Sequence, residues 1–281
     1  SEEKFKAALA VWKREVGIDN IAALKTNLPS FKDRRNPALS EMLFNRFLLS
    51  CLVDADYSDA AKVDNPDYKE QYESVQLSPE TLLNRLLIYV SEIKKKSTDS
   101  HDINQLRDMV FSNCMEAASL KPGLYTLTAP TGLGKTLAML AFALKHAKEH
   151  KKRRIIFVLP YLSIIEQNAD IYRLICPELL EDHSQCDLND NEREYTERYD
   201  APIIVTTSVK FFESFFKSKA PDCRKLHNIT NSIIMFDEAQ SLPSGLISTT
   251  LQTIEELCEY YKCTVVFSTA TQPAFEFREN V

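Results

Sequence analysis

The stretch LYTLTAPTGLGKTLAMLAFALKHA, residues 124–147, joins a short β-favouring run to a long apolar helix through a loop with two glycines. Gly132 and Gly134 permit positive φ angles, so that consecutive backbone N–H groups of the loop can face one anion. The N-terminus of the following helix adds its dipole to this attraction. The stretch therefore predicts a strand, a phosphate-binding loop and a helix, which together are one repeating unit of an α/β sheet.

The loop at residues 129–136 has the residue types that bind a nucleoside triphosphate with Mg²⁺. Lys135 has the reach to contact the β and γ phosphates, and Thr136 offers its hydroxyl to the metal. Ala129 replaces the first glycine of the usual pattern G-x-x-x-x-G-K-[ST], and the alternative interpretation is a glycine turn with a surface lysine. The strand before the loop and the helix after it favour the nucleotide site. We expect the nucleotide to contact Ala129, Pro130, Thr131, Gly132, Leu133, Gly134, Lys135 and Thr136.

Four more apolar runs follow the loop, and helical patterns separate them. They are RIIFVLP, PIIVTT, SIIMFDE and TVVFSTA, which begin at residues 154, 202, 232 and 264. Runs rich in Ile, Val and Phe that alternate with helices are typical of a parallel sheet covered on both faces. We predict a doubly wound α/β fold, with the ligand bound beyond the carboxyl ends of the strands.

Two acids, Asp237 and Glu238, follow one of these apolar runs directly. An acid at the end of a buried strand either caps the next helix or holds a positive group. The phosphate-binding loop belongs to the same predicted sheet, so we expect Asp237 to hold Mg²⁺ together with Thr136, and Glu238 to activate an attacking water. The pair therefore predicts hydrolysis of the bound nucleotide.

The 281-residue chain has the composition of an ordinary globular protein, with 44% hydrophobic residues and a formal net charge of −6. The negative charge argues against a protein that coats nucleic acid nonspecifically, although a local basic groove is compatible with it. Seven cysteines without CxxC spacing predict reduced thiols in a cytoplasmic protein. No apolar run is long enough to span a membrane, and the first residues lack the layout of a signal peptide.

Residues 1–100 have helical patterns, and we predict that they form an all-α segment ahead of a second domain at residues 101–281. Helices are predicted at residues 36–61 and 78–96, with a polar loop between them, and at 102–119. His146 and His150 lie four residues apart on the helix after the phosphate-binding loop. We predict that both are surface residues rather than metal ligands.

Five segments occur in an order that is more specific than any one of them. They are APTGLGKT, LPYLSIIEQ, VTTSVKFFES, DEAQ and STAT, which begin at residues 129, 159, 205, 237 and 268. They resemble motifs I, Ia, Ib, II and III of superfamily 2 helicases. The resemblance covers about residues 104–271 and implies the first RecA-like lobe of a motor that uses ATP and Mg²⁺ as cofactors.

The same resemblance implies contacts with single-stranded DNA. The sugar–phosphate backbone would be contacted by residues of the 159–167 segment and by Thr206, Thr207 and Ser208. Contacts from hydroxyl and N–H groups fit a protein of negative net charge. The alternative for residues 205–208 is a strand end followed by a helix N-cap.

Three further roles are implied by the helicase motifs. Coupling of the ATP state to strand movement is implied for Thr269, Ala270 and Thr271, for which the alternative is a polar strand end. Contact with adenine is implied for Gln105 and Arg107, which would otherwise be a helix-surface pair. Gln240 is counted with the catalytic residues, and we expect its neutral amide to connect the acids to residues 269–271 by hydrogen bonding.

The front segment points to a narrower family. RFLLSCLVDADYSDAA, residues 46–61, resembles the last helix of the HD-type nuclease domain that precedes the helicase in the CRISPR-associated helicase–nuclease of type I systems. The resemblance implies that Asp56, or alternatively Asp54, is a ligand of a divalent transition metal in the complete HD domain. The chain departs from the family at residues 1–55, which contain no histidine.

By this resemblance the chain is the end of the nuclease domain joined to the first RecA-like lobe, and alone it would be inactive or weak. Its expected partners are single-stranded DNA and an RNA-guided CRISPR surveillance complex, and its expected role is the degradation of foreign DNA. One alternative is another superfamily 2 DNA or RNA helicase with a helical accessory domain. The other is a nucleotide-binding module that does not hydrolyse its ligand.

Overall fold

A computed structural model describes residues 29–64, 75–183, 196–217, 219–242 and 247–270. The chain divides into two compact units, Ser1–Glu41 and Met42–Val281, and the sheet and all the helices that follow α1 belong to the second. Among the described ranges, no helix is both long and apolar enough to cross a bilayer.

The five predicted apolar runs form strands that alternate with helices, and the structure adds a short strand, Leu180–Asp182, that the sequence did not predict. The helices are α1 (Pro37–Asp64), α2 (Pro79–Lys96), α3 (His101–Ala117), α4 (Lys135–His150), α5 (Leu162–Ile175), α6 (Ser208–Phe216), α7 (Ala220–Cys223), α8 (Leu226–Ile229) and α9 (Ile247–Tyr260). The strands are β1 (Leu124–Thr128), β2 (Arg154–Leu159), β3 (Leu180–Asp182), β4 (Ile203–Thr207), β5 (Ser232–Phe236) and β6 (Thr264–Thr269). A short 3₁₀ turn, Ala239–Ser241, follows β5.

The strands form one sheet of six in the order β1-β6-β5-β2-β4-β3, and every neighbouring pair is parallel. This confirms the predicted α/β fold of the RecA-like type. In the register, Thr128 is opposite Thr269, and Phe236 is opposite both Phe267 and Val158. The carboxyl ends of β1, β6 and β5 therefore lie side by side at one edge of the sheet, which brings the phosphate-binding loop near the two acids.

The central strands explain why their sequences are continuous apolar runs. Every residue of β2, β5 and β6 is buried, because helices cover both faces of the sheet. The outer strand β1 instead alternates between exposed and partly buried side chains. Helix α4 adds a fully buried stripe that includes Leu140 and Leu144, and each such side chain contributes about 1.5–3 kcal/mol relative to an exposed one.

Helix α2 contributes to the core of the sheet domain. Its buried leucines and Val90 belong to the same hydrophobic cluster as α4 and the central strands. Pro79 occupies its first turn, as the sequence predicts. The domain boundary at residue 100 stays a prediction, and the helix before that boundary already packs on the lobe.

Helix α1 is held by polar contacts to the segment before β5. The Ser50 hydroxyl donates to the Arg224 carbonyl at 2.8 Å and accepts from the His227 N–H at 3.0 Å. One turn further along, the Arg224 guanidinium contacts Asp54 at 2.8 Å, with the arginine side chain 1% exposed. Arg198 approaches the same carboxylate at 3.1 Å. These contacts lie beside the amino ends of β4 and β5.

The prediction that His146 is a surface residue is wrong. Its side chain is completely buried, where Nδ1 donates to the Ala118 carbonyl at 2.8 Å and Nε2 accepts from the Thr264 hydroxyl at 2.9 Å. Burial lowers the pKa of His146 to about 4, so the ring is neutral at pH 7. His150, one turn later, is partly buried. The helical pattern missed this because both polar partners come from distant segments.

Candidate functional site

The phosphate-binding loop takes the backbone shape that its glycines permit. Gly132 has a φ of 80° and Gly134 a φ of 72°, values that residues with a Cβ atom rarely adopt. Gly134 is the N-cap of α4, so the helix dipole points at the loop. Ala129 keeps a negative φ. Glycine is therefore not needed at the first position of the motif, which accounts for the departure from the usual pattern.

Lys135 and Glu238 form an ion pair across the site. The Lys135 ammonium donates to Glu238 Oε1 at 3.2 Å, and the lysine is 8% exposed. The Gln240 amide donates to the other carboxylate oxygen, Oε2. Both oxygens of the predicted base are thus hydrogen-bonded, and a phosphate group that attracted Lys135 would release one of them.

Glu238 also has a strained backbone. Its φ of 47° places it in the left-handed region, which is uncommon for a residue other than glycine. Residues in this region cost about 1 kcal/mol or more and are frequent at functional sites. This left-handed conformation turns the chain sharply after β5.

Asp237 adds one backbone hydrogen bond beyond the end of β5, since its N–H donates to the Val158 carbonyl at 3.0 Å. Its Oδ1 accepts from the Glu238 N–H at 3.0 Å. Burial raises the pKa of Asp237 above its usual value, and the nearby Lys135 charge opposes that rise. A carboxylate that is poorly solvated in this way has a strong preference for a cation.

The residues fit a Mg²⁺ ion that arrives with a nucleotide. Thr136 supplies a hydroxyl oxygen and Asp237 a carboxylate oxygen, and Mg²⁺ is held in such sites by few protein oxygens together with phosphates and waters. Across the part of the chain that the structure describes, no group of three or more His, Cys, Asp or Glu side chains is arranged to hold a metal.

Thr269 connects the third motif to the phosphate-binding loop. Its carbonyl accepts from the Ala129 N–H at 3.2 Å. Its hydroxyl is buried and has no hydrogen-bond partner within the described ranges, an arrangement that is rare in folded proteins. Ala270 ends the described part of this segment, and the predicted coupling residue Thr271 lies outside it. The Gln240 amide contacts Glu238 in this structure, so its predicted bond to residues 269–271 stays a prediction.

Arg107 contacts the phosphate-binding loop from α3. Its Nε donates to the Gly132 carbonyl at 3.0 Å, and its terminal nitrogen pairs with Asp99 at 2.5 Å. Gln105 is exposed on the same helix. The structure thus brings Arg107 to the loop, while contact of either side chain with adenine stays a prediction. The sequence patterns gave no signal for Asp99, because its role depends on the fold.

The predicted contacts with nucleic acid differ in accessibility. The Thr206 side chain is completely buried, and its hydroxyl donates to the Asp182 carbonyl at 2.9 Å. Thr207 is the N-cap of α6, where its hydroxyl accepts from the Lys210 N–H at 3.1 Å. Ser208 begins the helix and is partly exposed. The alternative of a helix N-cap therefore describes Thr207 well, and it does not preclude contact through the helix N-terminus.

The two acids on α1 have different surroundings. Asp54 is bound by Arg224 and Arg198, and its side chain is 13% exposed. Asp56, the predicted metal ligand, is exposed. The ion pairs occupy Asp54 in this structure, so Asp56 stays the predicted ligand.

Comparisons with known proteins agree with this geometry. A family model described as "Type III restriction enzyme, res subunit" matches residues 92–274, which is more than half of the chain. The chain belongs to this family. It is 29% identical over 184 residues to the CRISPR-associated nuclease/helicase Cas3 of Haloferax volcanii. That match covers 54% of this chain and 19% of the relative, so the chain spans about a fifth of that protein.

Solved structures of T. fusca Cas3 have a similar fold. One aligns with a TM-score of 0.53 at 18% identity, over 75% of this chain and 24% of that one. The ADP form aligns with a TM-score of 0.52 at 18% identity, over 76% of this chain and 24% of that one. The resemblance to the CRISPR-associated helicase–nuclease is confirmed, and the chain is a domain of the ATP-dependent helicase type.

Proposed function

We propose that this chain is the ATP-binding motor lobe of a single-stranded DNA translocase. The observation that carries the proposal is the ion pair between Lys135 of the phosphate-binding loop and Glu238 at the end of β5, which are 103 residues apart in the sequence. A lysine, a hydroxyl and two strand-end acids converge at one edge of the sheet. These groups are suited to hold the phosphates and Mg²⁺ and to position the attacking water in ATP hydrolysis.

In the proposed reaction, Lys135 exchanges Glu238 for phosphate oxygens of ATP. The exchange frees Oε1 of Glu238, which then accepts a proton from the attacking water. The water oxygen bonds to the γ-phosphorus while the bond from that phosphorus to the β–γ bridging oxygen breaks, and ADP leaves. Asp237 and Thr136 would hold Mg²⁺, which would neutralise charge on the phosphates. The backbone N–H groups of the loop glycines bind the phosphate oxygens and fix the position of the nucleotide. Gln240 keeps the freed carboxylate oriented through Oε2.

The proposed path of single-stranded DNA crosses the same edge of the sheet. Helices α5 and α6 both begin there, after β2 and β4 respectively. Their N-terminal N–H groups, with Ser208 and the Thr207 backbone, are suited to phosphate oxygens. Thr269 and Ala270, with Thr271, are proposed to transmit the ATP state to that path. The contact between Thr269 and Ala129 supports a direct connection.

We also propose that residues 1–100 are the C-terminal part of an HD-type nuclease domain and residues 101–281 the first RecA-like lobe of a longer protein. An exposed apolar stripe on α1, which includes Leu48 and Leu52, supports further packing against this helix. The longer protein would cut foreign DNA after recruitment by an RNA-guided CRISPR complex. Asp56 would complete its transition-metal site.

Binding of a fluorescent ATP analogue tests the nucleotide site on the 281-residue chain. The wild-type chain should bind it in the presence of Mg²⁺, and Lys135→Ala should lose binding while Lys148→Ala, an exposed lysine of the same helix, retains it. Equal binding by all three proteins would overturn the proposal. In the longer protein, absence of ATP hydrolysis despite binding would favour a nonhydrolysing module.

The nuclease proposal has a separate test in the longer protein. Asp56→Ala should abolish metal-dependent cutting of single-stranded DNA and leave ATP hydrolysis intact. Cutting that persists in this variant would show that Asp56 is not a ligand. If Asp54→Asn lost cutting but kept ATP hydrolysis, and Asp56→Ala kept full activity, Asp54 would be the ligand in place of Asp56.

A further inference from the structure

A buried amide approaches the phosphate-binding loop from α5. Asn168 is 7% exposed, and its neighbours on the buried face of the helix, Ile165, Ala169 and Tyr172, are at most 1% exposed. An amide in apolar surroundings is unfavourable unless it is hydrogen-bonded. The partner is Thr136, whose hydroxyl donates to Asn168 Oδ1 at 3.1 Å. The amide oxygen is therefore aimed at the residue that is expected to hold Mg²⁺.

The direction of this hydrogen bond matters for metal binding. A threonine hydroxyl has one proton to donate and two lone pairs to offer. A cation needs a lone pair, so the proton must point away from it. Asn168 Oδ1 accepts that proton and leaves the lone pairs of Thr136 available. Without an acceptor in this position, the hydroxyl would have to find another partner before it could face the ion.

We propose that Asn168 is a positioning residue that orients the Thr136 hydroxyl for Mg²⁺, an inference that rests on the proposed nucleotide site. Asn168 acts through Thr136 and does not touch the ion itself. The same bond attaches α5 to the phosphate-binding loop, and α5 begins in the segment expected to contact DNA. Asn168 therefore lies on a direct route between metal binding and the DNA-binding edge.

The test measures the affinity of a fluorescent ATP analogue for the 281-residue chain with Mg²⁺ and with EDTA. The ratio of the two affinities is the gain due to Mg²⁺, and it is a binding measurement independent of hydrolysis. Asn168→Leu should reduce this gain about tenfold and leave the affinity in EDTA unchanged. Asn113→Leu, the same change at an exposed position of α3, should behave as the wild type.

Two further variants separate orientation from damage to the fold. Asn168→Asp keeps an acceptor oxygen at this position and should retain the gain due to Mg²⁺. Thr136→Val should lose the gain, and the Thr136→Val/Asn168→Leu double variant should lose no more than Thr136→Val alone, because both changes remove the same interaction.

Several results would overturn the inference. They are a full Mg²⁺ gain in Asn168→Leu, a loss in Asn168→Asp equal to that in the leucine variant, or additive losses in the double variant. A structural defect would lower the affinity in EDTA as well, which also contradicts a positioning role. Failure of the wild-type chain to bind the analogue would instead overturn the proposed nucleotide site, and the inference with it.

Discussion

The sheet has a carboxyl edge, where its parallel strands end, and an amino edge, where they begin. Similar residue types lie at both edges, but their polar contacts differ. At the carboxyl edge, Asp237 is poorly solvated, Glu238 has a strained backbone, and the Thr269 hydroxyl is buried without a partner among the described residues. At the amino edge, Asp54 is held by Arg224 and Arg198. His146 has both of its ring nitrogens bonded.

The contrast indicates what each edge is selected to do. Asp54 and His146 at the amino edge have polar partners within the fold, so they contribute to stability. Groups at the carboxyl edge are left with unfavourable energies that a bound ligand can relieve, and functional sites commonly sacrifice stability in this way. Substitutions of the same kind should therefore have different effects at the two edges.

The largest expected effect is on catalysis at the carboxyl edge. Glu238→Gln should lower kcat for DNA-stimulated ATP hydrolysis in the longer protein by about 10²–10⁴-fold, since the amide cannot accept the proton of water. Nucleotide affinity should be retained. Steady-state hydrolysis assays check this, with Glu92→Gln on the exposed face of α2 as the matched control. Unchanged turnover would remove Glu238 from the mechanism.

The next effect is on stability at the amino edge. Asp54→Asn should lower the free energy of unfolding by about 3 kcal/mol, because it removes the carboxylate nearest to the buried Arg224 charge among the described residues and leaves Glu197 at 3.6 Å. Urea denaturation measures the loss. Asp56→Asn, two residues along the same helix, should change stability by less than about 0.5 kcal/mol because it is exposed. Equal losses in the two variants would contradict the contrast.

A third effect concerns pH and again belongs to the amino edge. The pKa of His146 is lowered to about 4 from the ordinary 6.5, so the unfolded chain binds a proton more readily than the folded one. The contribution of His146 to the free energy of unfolding is complete above pH 6.5 and is lost as the pH falls towards 4. Between pH 7.5 and 5 the loss is about 2 kcal/mol.

Unfolding free energies measured across this pH range check the contribution of His146. The His146→Asn variant should be less stable at pH 7.5 and should show a shallower dependence on pH. A dependence as steep as that of the wild type would assign the titration to another group. His101, which is exposed at the start of α3, provides the matched control in His101→Asn.

The smallest expected effect is a gain in stability, opposite in sign to the loss expected for Asp54→Asn. Asp237→Asn should raise the free energy of unfolding of the nucleotide-free chain by about 0.5 kcal/mol, because burial disfavours the charged carboxylate there. The same variant should lose the affinity that Mg²⁺ adds to nucleotide binding. Urea denaturation and the binding assay measure the two changes on one protein. A loss of stability in Asp237→Asn as large as that expected for Asp54→Asn would show that the acids at both edges stabilise the fold.

Much of the carboxyl edge could be predicted from the sequence because its signals are local. Gly132, Gly134, Lys135 and Thr136 are close in sequence, and their spacing determines the loop. The apolar run before Asp237 marks a buried strand. The environment of His146 could not be predicted, because its partners are a carbonyl 28 residues away and a hydroxyl 118 residues away.

The sequence by itself determined five strands and the helices that alternate with them, the phosphate-binding loop and the identity of the two acids after β5. These features depend on residues within one turn or one strand of each other, and local sterics and burial decide them. Only the tertiary structure decided that Glu238 pairs with Lys135, that Asn168 accepts from Thr136 and that Asp54 is occupied by arginines. Those pairings join segments from 32 to 170 residues apart, and their geometry exists only once the sheet has formed.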